Sequence, residues 1–361
     1  MNASLSHAHQ IMFADLLQKC LDAEFDEAFP ENGSFAKVKS ANGQQFWYYK
    51  GYRSGEHVSG EKRFAKYAGP VADPAVTSRV ERFRQIKASF KERRALVSAL
   101  HAAGLPSPTS LVGDIVESLW RAGLFRLQGV LVGTTAFQTY AGLLGLRLPH
   151  AVLMTGDVDF AQFHSISVSV EDSVPSILDA LRQADQTFRE LPSLDSPVKS
   201  WRYGNRTGFK VEFLTPNRGK DSYADSPAAM PALGGAHALP LRYLDFLIHQ
   251  PVRSVLLHKG GIAVLVPAPE RYAVHKLMVS ELRRAGPDRG NKPENDISQA
   301  LTLIHALSVN SRKVDLGAAF IEAGNRGSKW RSTLAAARKR ISAQDRALID
   351  DACKLARSAK G

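Results

Sequence analysis

The sequence predicts an α/β (α+β) protein, and three patterns carry that expectation. Between residues 111 and 215, short apolar runs bounded by Gly or acidic residues are interleaved with stretches of helical spacing. An aromatic run around Trp47 alternates with a period of two, as a half-buried strand does. From Pro269 to the C-terminus, apolar residues recur at helical intervals. A chain of 361 residues is long enough for two or three domains. Three regions are expected: an N-terminal helix, aromatic-basic ribbon and long helix over 1–108, a core over 109–267, and a helical region over 268–361.

Residues 10–25 have the pattern of an amphipathic helix, and Phe29-Pro-Glu-Asn-Gly-Ser34 that of a loop. Residues 44–53 alternate like a strand, 54–60 supply a turn and 61–67 return as its partner. A long charged helix is expected over 75–103, opened by Asp73-Pro74 and stopped by Gly104 and Pro106. Residues 127–133 predict a short buried strand, and 134–144 a helix with Thr134 as its N-cap, Gly133 permitting the tight turn between them. The apolar run 151–160 follows, then a helix over 173–188 and a strand pair within 198–214. Residues 216–240, rich in Gly, Pro, Ala and Ser, predict a loop. Lys259-Gly-Gly261 between 253–257 and 262–266 is a hairpin signal. Helices are expected over 270–284, 293–307, 314–323, 328–341 and 344–358.

Composition narrows the function classes. With 44% hydrophobic and 23% charged residues the chain should fold rather than stay disordered. Cys20 and Cys353 lack zinc or disulfide spacing, so a reducing cytoplasm is the expected location. The N-terminus shows no basic and apolar regions of a signal peptide, and the uncharged stretch 127–146 is broken by Gly, Thr, Gln and Tyr, so no membrane association is expected. A net charge of +12 favours RNA, DNA or a nucleoside triphosphate as partner; a solvated basic surface is the other reading. The sequence contains no phosphate-loop, His-Glu-x-x-His, Gly-x-Ser-x-Gly or Cys-x-x-Cys motif.

The chemistry concentrates in Asp157-Val-Asp159. On a strand, i and i+2 share a face, so the two carboxylates crowd together and call for a cation. Glu212, the one acid in the strand-like run 210–215, adds a third oxygen donor, suited to Mg²⁺ or Mn²⁺. The strand-turn-helix at Gly133, Thr134 and Thr135 is a place where phosphate docks on backbone N–H groups and a helix dipole. A triphosphate also needs a cation on a helix. Lys276 is the first choice, with Arg283 along the same face; the adjacent His275 is better explained as a packing or surface residue.

Leu131-Val-Gly-Thr-Thr-Ala-Phe137, Thr155-Gly-Asp-Val-Asp-Phe160, Pro269-Glu-Arg-Tyr-Ala-Val-His-Lys-Leu277 and Lys292-Pro-Glu-Asn-Asp-Ile297 together resemble nucleotidyltransferases of the DNA polymerase β type. The likeness covers roughly residues 110–310 and extends to bacterial abortive-infection and toxin–antitoxin proteins and to uncharacterised relatives. Two residues depart from the superfamily pattern: Glu212 stands where Asp is usual, and Thr134 where Gly or Ser is more often found.

The resemblance implies a small mixed sheet with helices on one side. It also implies transfer of a nucleoside monophosphate from a triphosphate to an acceptor hydroxyl, with Asp157 and Asp159 bridging metals and triphosphate. Glu212 would hold the nucleophile-side metal and take the acceptor's proton, Gly133, Thr134 and Thr135 would hold the outer phosphates, and Lys292 and Asp296 would position their loop. The expected acceptor is RNA, particularly a tRNA 3′ end, or a protein side chain. A toxin with an antitoxin partner is a further alternative, as is a module of the same fold that binds without transferring.

Two surfaces are candidates for RNA. One is the ribbon Trp47, Tyr48, Tyr49 and Tyr52 interleaved with Lys50, Arg53, Lys62, Arg63 and Lys66, although alternation turns some of these rings into a core. The other is Arg338-Lys-Arg340 with Lys329, Arg331 and Arg346.

Overall fold

The computed structural model describes residues 4–23, 29, 33–39, 43–52, 63–149, 156–169, 173–191, 200–217, 226–285 and 291–359. The first helix, α1 (His7–Leu21), lies against the far end of α2 (Pro74–Ala102). Asp73 caps α2 by accepting from the N–H groups of Ala75 and Val76, with Pro74 in the first turn, as the sequence predicts. Between these helices in chain order comes a three-stranded antiparallel sheet, β1 (Ser34–Lys39), β2 (Gln45–Tyr52) and β3 (Arg63–Pro70). The turn expected over 54–60 lies outside the described residues.

The central sheet is mixed. In chain order it uses β4 (Val130–Val132), β5 (Asp157–Ala161), β6 (Arg189–Glu190), β7 (Arg202–Gly204), β8 (Lys210–Pro216), β9 (Ala228–Ala229) and β10 (His237–Leu241). The spatial order is β4-β5-β8-β10-β9. β6 pairs with β7, and β7 joins the edge of β8 that β10 takes up further along. β5 and β10 run parallel to β8, whereas β4 runs antiparallel to β5.

Alternation sets the two faces of this sheet. Val158, Phe160, Val211 and Phe213 are each at most 1% exposed, and the Phe160 and Phe213 rings stack at 5.7 Å. The carboxylates of β5 and β8 therefore point to the opposite face.

Helices α3 (Ser110–Arg121), α4 (Gly133–Leu143), α5 (His164–Ser169), α6 (Ile177–Ala184) and α7 (Leu244–Leu247) complete the core with the antiparallel pair β11 (Val252–Leu256) and β12 (Ile262–Val266). The chain then forms α8 (Pro269–Ala285), α9 (Lys292–Val309), α10 (Lys313–Asn325), α11 (Ser328–Lys339) and α12 (Ala343–Ser358). One hydrophobic cluster runs from Ile115 on α3 to Ala352 on α12, so the C-terminal helices share the interior of the sheet. No helix among the described residues is long and apolar enough to cross a membrane.

Four local expectations are corrected. β1 occupies a segment for which no strand is expected. Residues 216–240 contain β9, a 3₁₀ turn at Pro231–Leu233 and β10 rather than loop alone. The strand expected from 127 begins at Val130, because Leu127 and Gln128 belong to a turn in which Gln128 has φ 62°. Thr134 is not an N-cap: α4 begins one residue earlier, Val132 holds the cap position, and no side chain caps it. Gly133 makes that early start possible with φ 67°, a left-handed value that other residues adopt at a cost.

Candidate active site

Register builds the site. Asp159 pairs with Glu212 across β5 and β8, and Asp157 pairs with Lys210. Paired residues share a face, so Asp157, Asp159 and Glu212 stand together on the face away from the core, all three half-buried. On the other side of β5, Val132 pairs with Asp159, so the chain leaves β4 beside that carboxylate and turns at once into α4. The approach is close. A Cβ on Gly133 would lie 2.7 Å from Asp159 Oδ2. The first-turn N–H groups of α4, which have no intrahelical acceptor, begin at this point.

The turn is held from behind by α8 and α9. The Tyr272 hydroxyl lies 3.0 Å from the Gly133 carbonyl oxygen and 3.0 Å from Gln299 Oε1, and its one proton serves these two acceptors. Gln299 Nε2 donates to Thr134 Oγ1 at 3.4 Å. Tyr272 stacks on Phe137 of α4 and meets Tyr140 edge-on. The Thr135 side chain is buried and its hydroxyl has no hydrogen-bond partner among the described residues.

The electrostatics follow from this crowding. Burial, then the charges of Asp157 and Glu212, push the Asp159 carboxyl up to about 7 against the opposing pull of Lys276 and Arg283. Burial also raises Glu212, and Asp157 adds to it, while Arg202, Lys210 and Lys292 act the other way. Arg202 faces Glu212 across β7 and β8, with Nη1 3.9 Å from Oε1.

Lys276 and Arg283 are brought together by one acid. Asp296, 2% exposed, accepts from Lys276 Nζ at 2.7 Å and from Arg283 Nη1 at 2.6 Å. Two cations against one carboxylate leave a surplus positive charge facing Asp159. Burial depresses Lys276, and Asp296 opposes that fall. Burial, then Lys276 and Arg283, bring His275 down to about 3, so its imidazole is neutral near pH 7.

The sequence reading picked the acids, the turn and the two cations, but it missed Tyr272, Gln299 and Arg202 as their supports. The signals were present: Tyr272 and Lys276 are i, i+4 on α8, Asp296 and Gln299 are i, i+3 on α9, and Arg202 lies across from Glu212 in a strand pair.

A metal needs hard oxygen donors close together. The acid trio supplies the oxygens, and the raised Asp159 records a field of negative charge that a divalent cation would relieve, so these residues fit Mg²⁺ or Mn²⁺. Their carboxylates do not all come within 4.8 Å of one another. Among the described residues the group of three that does so is Asp114, Glu117 and His258, outside this cleft. That second group already has its cation: Lys259 Nζ lies 2.7 Å from Asp114 Oδ1 and 2.6 Å from Glu117 Oε2.

The candidate RNA surfaces are rearranged relative to expectation. Trp47 and Tyr49 are buried and unavailable for stacking, the side chains of Tyr52, Arg63 and Lys66 lie outside the description, and Arg53 and Lys62 lie outside the described residues. Arg338 is bound to Asp350, and Arg346 donates to the carbonyls of Arg338 and Ile341, which ties both into the helical packing.

A family model described as nucleotidyltransferase matches residues 110–323, from the start of α3 to the last turn of α10. The match takes in the acid trio, the turn at Gly133 and the Lys276–Asp296–Arg283 cluster. Neither a curated protein nor a solved structure matches the chain.

Proposed function

The chain belongs to the nucleotidyltransferase family, and on that premise we propose that it moves a nucleoside monophosphate from a nucleoside triphosphate to a hydroxyl of RNA at the Asp157–Asp159–Glu212 face. The observation that carries this reading is the register pairing of Asp159 with Glu212 beside the Gly133 turn. It sets an acid cluster and a phosphate-docking helix end side by side.

Divalent cations held by Asp157, Asp159 and Glu212 would supply Lewis-acid stabilisation of the charge on the phosphates. The chain's own groups do the rest. Backbone N–H groups of Thr134 and Thr135 hold the outer phosphate oxygens, and the Thr134 hydroxyl, already engaged by Gln299, adds a contact. Lys276 and Arg283, which Asp296 aligns, offset the charge of the departing pyrophosphate. The acceptor oxygen bonds to the α-phosphorus as the bond from that phosphorus to the bridging oxygen breaks. The acceptor's proton passes to Glu212, whose raised affinity for protons suits a base. The net charge of +12 favours RNA over a small cationic acceptor.

The test is incubation with each α-labelled triphosphate, Mg²⁺ and total RNA. Label should enter RNA and fall by about a hundredfold or more with Asp157→Ala, the scale of losing a charge-stabilising group. Absence of transfer from all four triphosphates, with triphosphate binding indifferent to Mg²⁺, would instead mark a module that binds without reacting.

A further inference from the structure

The N-terminal sheet has a second face that is partly exposed among the described residues. Its inner face is packed: Phe29, Phe35, Tyr49 and Phe83 meet with ring centroids 4.8–5.9 Å apart. Trp47 is 3% exposed, donates from Nε1 to Thr77 Oγ1 at 3.2 Å and lies under Lys37 and Arg84. Alternation along β2 sends Phe46, Tyr48 and Lys50 the other way, and the register sets Tyr67 beside Tyr48 and Val38 beside Phe46.

On that outer face Tyr67 is 52% exposed and Val38 39%. The Tyr67 ring touches both Tyr48, at 5.5 Å between centroids, and Phe46, at 5.8 Å. Phe46 and Tyr48 are half-buried, so Tyr67 is the exposed end of a connected aromatic patch, a surface that a folded chain keeps uncovered at a cost.

Charge identifies the occupant. Residues 34–103 hold fourteen Lys and Arg against five Asp and Glu, so this stretch carries three-quarters of the net charge of +12. Lys50 is exposed on the ring face itself. A connected aromatic surface within a strongly basic segment matches a single-stranded polyanion with flat faces; neither a duplex nor an acidic peptide uses both features.

We infer that the outer face of β1–β3 is a docking platform for single-stranded RNA, with bases stacking on Phe46, Tyr48 and Tyr67 and the phosphate backbone running along Lys50. This rests on the reading of RNA as acceptor and adds where that RNA is gripped outside the acid cleft.

The test is binding of a fluorescein-labelled oligouridylate to the full chain by fluorescence anisotropy, with the matching duplex as comparison. The double substitution Tyr48→Ser/Tyr67→Ser should weaken single-strand binding by about tenfold or more, as expected from losing two stacking rings. Tyr67→Phe should retain affinity, and Lys50→Gln should flatten the salt dependence by about one phosphate contact. Transfer to a free mononucleotide acceptor, which cannot span the platform, should not change in the double variant.

Unchanged oligouridylate affinity in the double variant, with native near-ultraviolet dichroism, would overturn the platform while leaving RNA as acceptor. Failure of the wild-type chain to bind the oligouridylate would overturn the platform, and label entering RNA in the transfer assay would then still uphold the acceptor. A wild-type dimer that the double variant dissociates without loss of RNA affinity would assign the face to a second copy of the chain instead.

Discussion

Asp159→Asn should make the protein more stable at pH 8 while abolishing nucleotidyl transfer. The Asp159 carboxyl has its proton affinity raised from the ordinary 3.8 to about 7 by burial and by Asp157 and Glu212. In the unfolded chain the same group ionises near pH 4. Between these values the folded state binds the proton and the unfolded state does not, so stability falls as pH rises through that window and levels off above pH 7. At about 1.4 kcal/mol per pH unit, the ionised carboxylate costs the folded protein on the order of 4 kcal/mol at pH 8. Asparagine keeps the shape and removes the charge. Urea unfolding without divalent metal should show the variant more stable than wild type at pH 8 by up to that amount, and by only about 1 kcal/mol at pH 4.5. Adding Mg²⁺ should raise the wild-type midpoint at pH 8 and leave the variant's unmoved, because bound cation offsets the same repulsion. A variant no more stable than wild type at pH 8 would refute the crowding and with it the reason for a metal there. The same stability gain at both pH values would refute the ionisation argument.

Gly133→Ala separates geometry from folding: its left-handed φ of 67° costs an alanine about 1–2 kcal/mol, seen as a small drop in urea midpoint. Because the new Cβ would lie 2.7 Å from Asp159 Oδ2, that carboxylate must move, and kcat/KM should fall by about a hundredfold, the cost of a misplacement near an ångström. Asp296→Ala leaves the buried Lys276 without its counter-charge and should destabilise by about 3–5 kcal/mol, while Asp296→Leu combined with Lys276→Met should recover much of the loss in a double-mutant cycle.

Much of this molecule was legible in its sequence because local periodicity and tertiary role agree. The helices after Pro269 follow the apolar spacing to within a residue or two, and the Asp73-Pro74 start of α2 is the cap that it spells. β1 was illegible for a physical reason. Ser34-Phe-Ala-Lys-Val-Lys39 places Phe35 on the packed face together with two lysines, a pattern that suits an edge strand and imitates a loop. β10 contains Pro240, which has no N–H to give its ladder, and it exists because β8, more than twenty residues earlier, offers a parallel edge.

The site divides along the same line. Two aspartates spaced i, i+2 on an apolar run announce a shared face wherever the strand lies, and Gly133 announces a turn. Tyr272 and Gln299 announce nothing by themselves, since helical spacing says which residues share a stripe and not what that stripe meets. Their contacts have a functional consequence. The turn that would grip phosphate is held in place by Tyr272 and Gln299, and the surplus positive charge facing Asp159 comes from Lys276 and Arg283 around Asp296. A triphosphate approaching three carboxylates would be repelled unless cations offset them, and Lys276 and Arg283 would add to what a divalent cation supplies there. On the proposed reading the helices after Pro269 are therefore half of the site, and the sheet without them would present the acids to the triphosphate with neither the clamp on the turn nor the cations behind it.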